Sequence, residues 1–270
     1  MSEALNLVYQ SIDRQHADSS AHTRRQLVAG AAATLGGMGM LGLAPEIASA
    51  AHKEDPQTIL NVAATAEVLA TIVNTVAFER NLGGDSTTQR NLGAAAREEL
   101  IHYQVLTGLE PGRARPLTLT VHVPDAVFAS RTSLLNTLVI GDQIFVNAYL
   151  IATTVFANRG DSELARIAAE FMAVEAVHRA LARQSLGLLG NDRAFAKYSQ
   201  AEEAIGPGKA PGADGLPGFR KVLTAVAQLE AAGFGFGFGK AGSLPGSSYG
   251  FDTVSARTPN PSDVNTRVPK

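Results

Sequence analysis

Glu99-Leu100-Ile101-His102 and Glu175-Ala176-Val177-His178 are two Glu-x-x-His units, each set inside an apolar stretch of helical character. Residues at i and i+3 share one side of a helix, so each unit projects a carboxylate and an imidazole together. Their flanks point both units inward. Leu92, Ala95, Ala96 and Leu106 share the face of Glu99 and His102, while Ile167, Phe171, Val174 and Leu181 share that of Glu175 and His178. A lone buried charge is strongly unfavourable or changes its protonation. Two such units on separate helices therefore point to metal as the shared partner.

The neighbouring sequence supplies two more long helices. Asp55-Pro56 reads as an N-cap acid followed by Pro at the first helical position, opening a helix to about residue 78 whose only charged residue is Glu67. After the Gly83-Gly84-Asp85-Ser86 turn, the Glu99/His102 helix covers roughly residues 87–107. A Pro-punctuated connection follows at 111–130, with a short alternating piece at 118–123. The third helix covers about 132–158, and its only charged residue is Asp142. Asn158-Arg159-Gly160-Asp161 is a tight turn with Asp161 as N-cap, and the Glu175/His178 helix runs to about residue 186. Short–long–short connections describe an all-α four-helix bundle with one long crossover.

Glu67 and Asp142 interrupt apolar stripes near the middle of their helices, as the two motifs do on theirs. Asp142 shares its face with Leu135, Leu138, Phe145, Val146 and Tyr149; Gln143 faces another stripe. Six residues, Glu67, Glu99, His102, Asp142, Glu175 and His178, can thus converge at mid-bundle. Hard oxygen and imidazole donors in this number suit two iron or manganese ions.

One acid from each of two helices, with a Glu-x-x-His from each of the others, resembles the ligand set of ferritin-like di-iron and di-manganese proteins. Over residues 55–187 the chain is similar to the bacterial exported ferritin-like proteins that include the desiccation-related proteins, and Ala148-Tyr149-Leu150 echoes an Ala-Tyr-Leu signature. The resemblance implies bridging roles for Glu99 and Glu175, terminal roles for His102 and His178, and terminal or semi-bridging roles for Glu67 and Asp142. Those relatives usually carry Glu where this chain has Asp142, which reaches about 1.5 Å less. The implied activity is ferrous oxidation or peroxide removal in stress protection, with dioxygen or peroxide as reactant. The alternative is a non-enzymatic envelope or desiccation-related protein with a weak or vestigial metal site. No residue receives a catalytic role beyond metal binding.

Composition bounds the rest. The 270 residues contain no Cys, which excludes disulfides and thiolate metal sites, and the net charge of −2 gives no reason to expect nucleic acid. Thr23-Arg24-Arg25-Gln26-Leu27-Val28 opens an uncharged run to residue 44, and Ala48-Ser49-Ala50 follows as a cleavage pattern. This resembles a twin-arginine signal, with Leu27 where Phe is usual, and implies an exported protein in the periplasm or outside the cell. Removing residues 1–50 leaves 20 basic and 21 acidic residues. Glu67 and Asp142 argue against a stable membrane span in that mature chain. A homo-oligomer is compatible with the sequence.

The expected organisation is a signal segment at 1–50, the bundle at 51–190, a further helical segment at 191–232 and a Gly/Phe/Pro-containing tail at 233–270. Within these, weak helix is expected at 193–204 and an amphipathic helix at 219–232. The tail reads as flexible, with its Phe residues covering part of the bundle. Among neighbouring residues, Tyr103 and Tyr149 lie near site height and suit either core packing or a hydrogen bond to a ligand. His122 reads as a loop or surface histidine. Glu98 and Arg97 point to solvent, and Arg179 pairs with a carboxylate.

Overall fold

Four capped helices make the body of the protein. The computed structural model describes residues 54–109, 114–191, 221–236 and 242–262. Helix α1 is Pro56–Glu79, α2 Ser86–Gly108, α3 Arg131–Asn158 and α4 Ser162–Ser185. Each has a side-chain N-cap. Asp55 accepts from Thr58 N at 3.1 Å, Asp85 from Thr88 N at 2.8 Å, Ser130 from Ser133 N at 3.1 Å and Asp161 from Leu164 N at 3.0 Å. A cap of this kind contributes about 1 kcal/mol. Helix bounds agree with the sequence expectation to within a residue or two, because caps and apolar periodicity are local signals.

The crossover sets the direction of the second helix pair. At its start, Arg115 N donates to Asn61 Oδ1 and Leu117 N to Thr65 Oγ1, both at 2.8 Å, latching the connection to the first half of α1. At its end, Arg131 donates from Nε to Gly83 O at 2.6 Å and lies 3.2 Å from Asp85 Oδ2 through Nη2. Helices α2 and α3 therefore begin at the same end of the bundle. The end of α4 arrives there too, with Ser185 Oγ 2.9 Å from Thr88 Oγ1. The main helix pairs are α1 with α2 and α3 with α4.

Helices α1 and α3 are long and apolar enough to cross a membrane by length and composition. In the bundle, 83% and 56% of their most apolar windows are buried. On α1 and α2 the acidic and imidazole residues separate two apolar packing regions: Glu67 lies between Ala64 and Val68, and His102 between Leu100 and Leu106.

Residues beyond the bundle pack on it, and here the structure departs from the flexible tail expected from composition. Helix α5, Val222–Ala231, lies against α1 and α3, and Val222 N donates to Glu54 Oε1 at 3.2 Å. Strand β1 of the crossover, Thr120–Pro124, pairs antiparallel with β2, Gly246–Gly250, in the register Val121↔Tyr249. A short helix α6, Phe251–Ser255, then sits on α1. Phe234, Phe236 and Phe251 are buried, so the phenylalanines do cover the bundle. What composition concealed is the strand that anchors them. The signal segment at 1–50, the weak helix at 193–204 and the Phe238 end of the Gly/Phe run lie outside the described residues.

His122 is also not a surface residue. It is 9% exposed, its Nε2 lies 2.9 Å from Leu244 O, and its backbone exchanges hydrogen bonds with Gly235 at 2.7 and 3.0 Å. Glycine is required beside it: a Cβ on Gly242 would stand 2.2 Å from Gly233 O and 2.3 Å from the His122 ring. His122→Ala should loosen the C-terminal segment by about 1–2 kcal/mol. Chymotryptic cleavage near Phe234 and Tyr249 should then rise roughly tenfold, with helical circular dichroism unchanged. Unaltered cleavage would show that the β1–β2 ladder alone holds the segment.

Candidate metal centre

The i,i+3 spacing that pairs each Glu with its His leaves the two pairs on α2 and α4, and bundle packing brings them face to face. Glu67, Glu99 and Glu175 are 0% exposed, Asp142 and His102 5%, and His178 9%. His102 Nδ1 lies 3.4 Å from Glu99 Oε2, 3.5 Å from Glu67 Oε2 and 3.8 Å from Glu175 Oε1. His178 Nδ1 lies 3.1 Å from Glu99 Oε1 and 3.7 Å from Glu175 Oε2. Each of the two motif glutamates therefore turns one oxygen to one imidazole and its other oxygen to the second.

The two sides differ in their remaining acids. Glu67, Glu99, His102 and Glu175 offer ligand atoms that all lie within 4.8 Å of one another. Asp142 and His178 are not in that group. Asp142 is buried on α3, within electrostatic reach of His178, Glu99, Arg179 and Glu67. Gln143 is buried as well and remains outside the cluster.

Charge in this layer is set by burial first and by neighbours second. Burial raises the Glu67 carboxyl to about 7 against the opposing pull of His102. Glu175 is raised by burial and by the Glu99 charge. Asp142 is raised by burial, with His178 and Arg179 opposing. Glu99 alone is held low, since the charges of His178 and His102 outweigh its own desolvation. Burial works to lower both imidazoles, yet Glu67 and Glu99 lift His102 to about 10, and Glu99, Glu175 and Glu98 lift His178 as well.

The donor set fits cations. Glu67 Oε2, both oxygens of Glu99 and of Glu175, Asp142 Oδ2 and the Nδ1 atoms of both histidines are buried without a hydrogen-bond partner. An orphaned buried polar atom costs about 1–3 kcal/mol, more for a charged group. Bound cations would supply what so many converging acceptors lack.

Surrounding side chains orient the donors. Tyr149 donates its O–H to Glu67 Oε1, which leaves Oε2 facing His102. Of the two roles open to Tyr149 this is the hydrogen-bonding one, while Tyr103 packs on Phe251 with ring centroids 4.4 Å apart. Phe171 stacks on the His102 ring at 3.9 Å and meets Tyr149 edge-on at 5.6 Å. Arg179 is fully buried and acts electrostatically on Asp142.

Glu98 does not point to solvent as its sequence position suggests. Its Oε2 is 2.7 Å from His178 Nε2, and its side chain is 29% exposed. Arg97 is only partly exposed as well. A carboxylate on Nε2 holds that nitrogen as the donor, so that when the ring is neutral the Nδ1 lone pair faces inward, an arrangement common behind metal-bound histidines. No local signal marks Glu98, because its partner lies 80 residues away.

Residues 55–188 match the family model described as the ferritin-like domain. Neither the curated proteins nor the solved structures gave a match.

Glu98→Gln keeps the shape but weakens the acceptor behind His178. Manganese affinity, measured by titration of the metal-depleted protein, should fall 10–100-fold, as is usual when such a partner is lost. An unchanged affinity would mean that packing alone orients His178.

Proposed function

We propose that the ferritin-like domain the chain carries at residues 55–188 holds two iron or manganese ions and serves redox chemistry on oxygen species. One observation carries this reading: Glu99 and Glu175 each present one oxygen to His102 and the other to His178. Glu99 and Glu175 would bridge the pair. His102 and Glu67 would complete one side, and His178 with Asp142 the other. Such a metal pair supplies two electrons in one place and Lewis-acid binding of dioxygen or peroxide.

The protein's own groups have separate tasks. Burial keeps bulk water from the reacting species. Tyr149 donates its O–H to Glu67 Oε1 at the edge of the site and holds the other oxygen, Oε2, toward His102. Glu98 keeps the His178 lone pair turned inward. Ferrous oxidation by dioxygen or peroxide, and manganese-dependent peroxide removal, both suit this arrangement and a role in stress protection.

A second reading follows from Asp142, which stands outside the group of mutually close donors. On that reading the His178 side binds weakly, and the protein acts as a non-enzymatic ferritin-like envelope or desiccation-related protein. Export belongs to both readings. Arg24-Arg25, the uncharged run behind them and Ala48-Ser49-Ala50 support a twin-arginine route, which carries already folded cargo.

Two measurements test these statements. Mass-spectrometric metal analysis of the mature protein should find about two iron or manganese ions per chain, with loss in the Glu99→Ala/His178→Ala variant. A wild type that stays metal-free after loading would end the dinuclear reading; a single ion, with no drop in melting temperature on chelation, would favour the second. Separately, Arg24→Lys/Arg25→Lys should retain the protein in the cytoplasm, and undiminished export would refute the twin-arginine route.

A further inference from the structure

The four helices pack most closely as two pairs, α1 with α2 and α3 with α4. The candidate metal donors are divided between the pairs: Glu67, Glu99 and His102 on one, Asp142, Glu175 and His178 on the other. Cations shared by these donors therefore tie one pair to the other. Tyr149 of α3 already crosses the division, with its O–H on Glu67 Oε1 of α1.

The C-terminal segment crosses it as well, from outside. Val222, Ala225, Val226 and Leu229 recur at three- and four-residue spacing and form one face of α5. With α1 and α3 that face encloses a narrow space of about 30 Å³, beside Ala63, Ala66, Ala148 and Tyr149. The next space along the same seam, about 500 Å³, is bounded by Leu69 and Val73 of α1, Ile140 and Asp142 of α3, and Phe234 and Leu244 of the segment. Leu229 and Phe145 border both spaces. The change from one space to the next falls between Ala66 and Leu69 on α1, the turn that carries Glu67, and at Phe145 on α3, between Asp142 and Tyr149. Where α1 and α3 leave room between them, the segment bridges their outer sides at the level of the charged layer.

We propose, on the dinuclear reading of the site, that the C-terminal segment is a clamp on the metal layer. Docked across the α1–α3 seam, it fixes the spacing of the two helix pairs that bridging cations require. Metal uptake and docking then favour one another, and by linkage each changes the other by the same factor. The clamp is a property of this chain beyond the matched domain, which ends at residue 188. Its anchors are separate from the metal donors: β2 pairs with β1, and Arg257 Nε lies 2.6 Å from Glu79 Oε1 at the end of α1.

The test uses the mature full-length protein, metal-depleted or loaded with manganese. Brief chymotrypsin treatment should cut near Phe234 and Tyr249 and leave the bundle as an intact fragment, which marks the opening as local. Manganese should slow that cut about fivefold or more, the lower end of ordinary coupling between sites. Leu229→Asp places a charge in the apolar seam and opens the clamp at α5. Its manganese affinity, measured by calorimetric titration, should be lower by the factor found for protection. Phe234→Asp opens the segment at the larger space and should give the same loss if Leu229→Asp folds poorly; neither residue is a metal donor. Loss of the segment only together with the bundle, equal cleavage with and without bound manganese, or unchanged affinity in both opened variants would each overturn the clamp. A wild type that takes up no manganese fails the dinuclear reading and the clamp together, whereas uptake without protection of the segment fails the clamp alone.

Discussion

The protein is organised around acids that are expensive to bury. Glu67, Glu99, Asp142 and Glu175 sit in the interior with His102, His178 and Arg179 as the nearby cationic groups. A buried ion pair is weak evidence for stability, because desolvation of both partners offsets their attraction. The layer is better understood as a site that stability elsewhere must support. That support comes from the apolar residues on either side of it, from capped helix ends and from the pairing of α1 with α2 and α3 with α4.

The same layer explains the unequal character of its two sides. Around His102 the ring stacks on Phe171, Tyr149 holds Glu67, and four donors converge. Around His178 an outer carboxylate, Glu98, does the orienting, and Asp142 is buried within electrostatic reach. Asp142 also lines the large cavity, so it is shared by the charged layer and the apolar space.

The crossover and the C-terminal segment hold one another in place. His122 joins both, through its backbone to Gly235 and through its ring to Leu244. Val123, Phe128, Phe234 and Phe251 then enter the same apolar cluster as the second half of α1. A composition of Gly, Phe and Pro that looks unable to build a core does not need one, because the bundle supplies the opposing surface. Without β1 as template, the strand Gly246–Gly250 would lack a partner for its backbone groups.

Local rules explain what was legible in the chain. Helix ends follow from Asp55, Asp85, Ser130 and Asp161, whose capping partners are three residues away. The direction of Glu99, His102, Glu175 and His178 follows from helical periodicity, and so does the solitary position of Glu67 and Asp142 on apolar stripes. Those signals suffice for the bundle and for a convergent set of donors. The pairing of Glu98 with His178 spans 80 residues and that of His122 with Leu244 spans 122. No repeat or spacing encodes such contacts, since they depend on how finished helices and strands meet. The sequence alone determined that Glu67, Glu99, His102, Asp142, Glu175 and His178 enter the interior; packing decided which carboxylate stands behind His178, that His122 is buried and that a cavity opens beside Asp142.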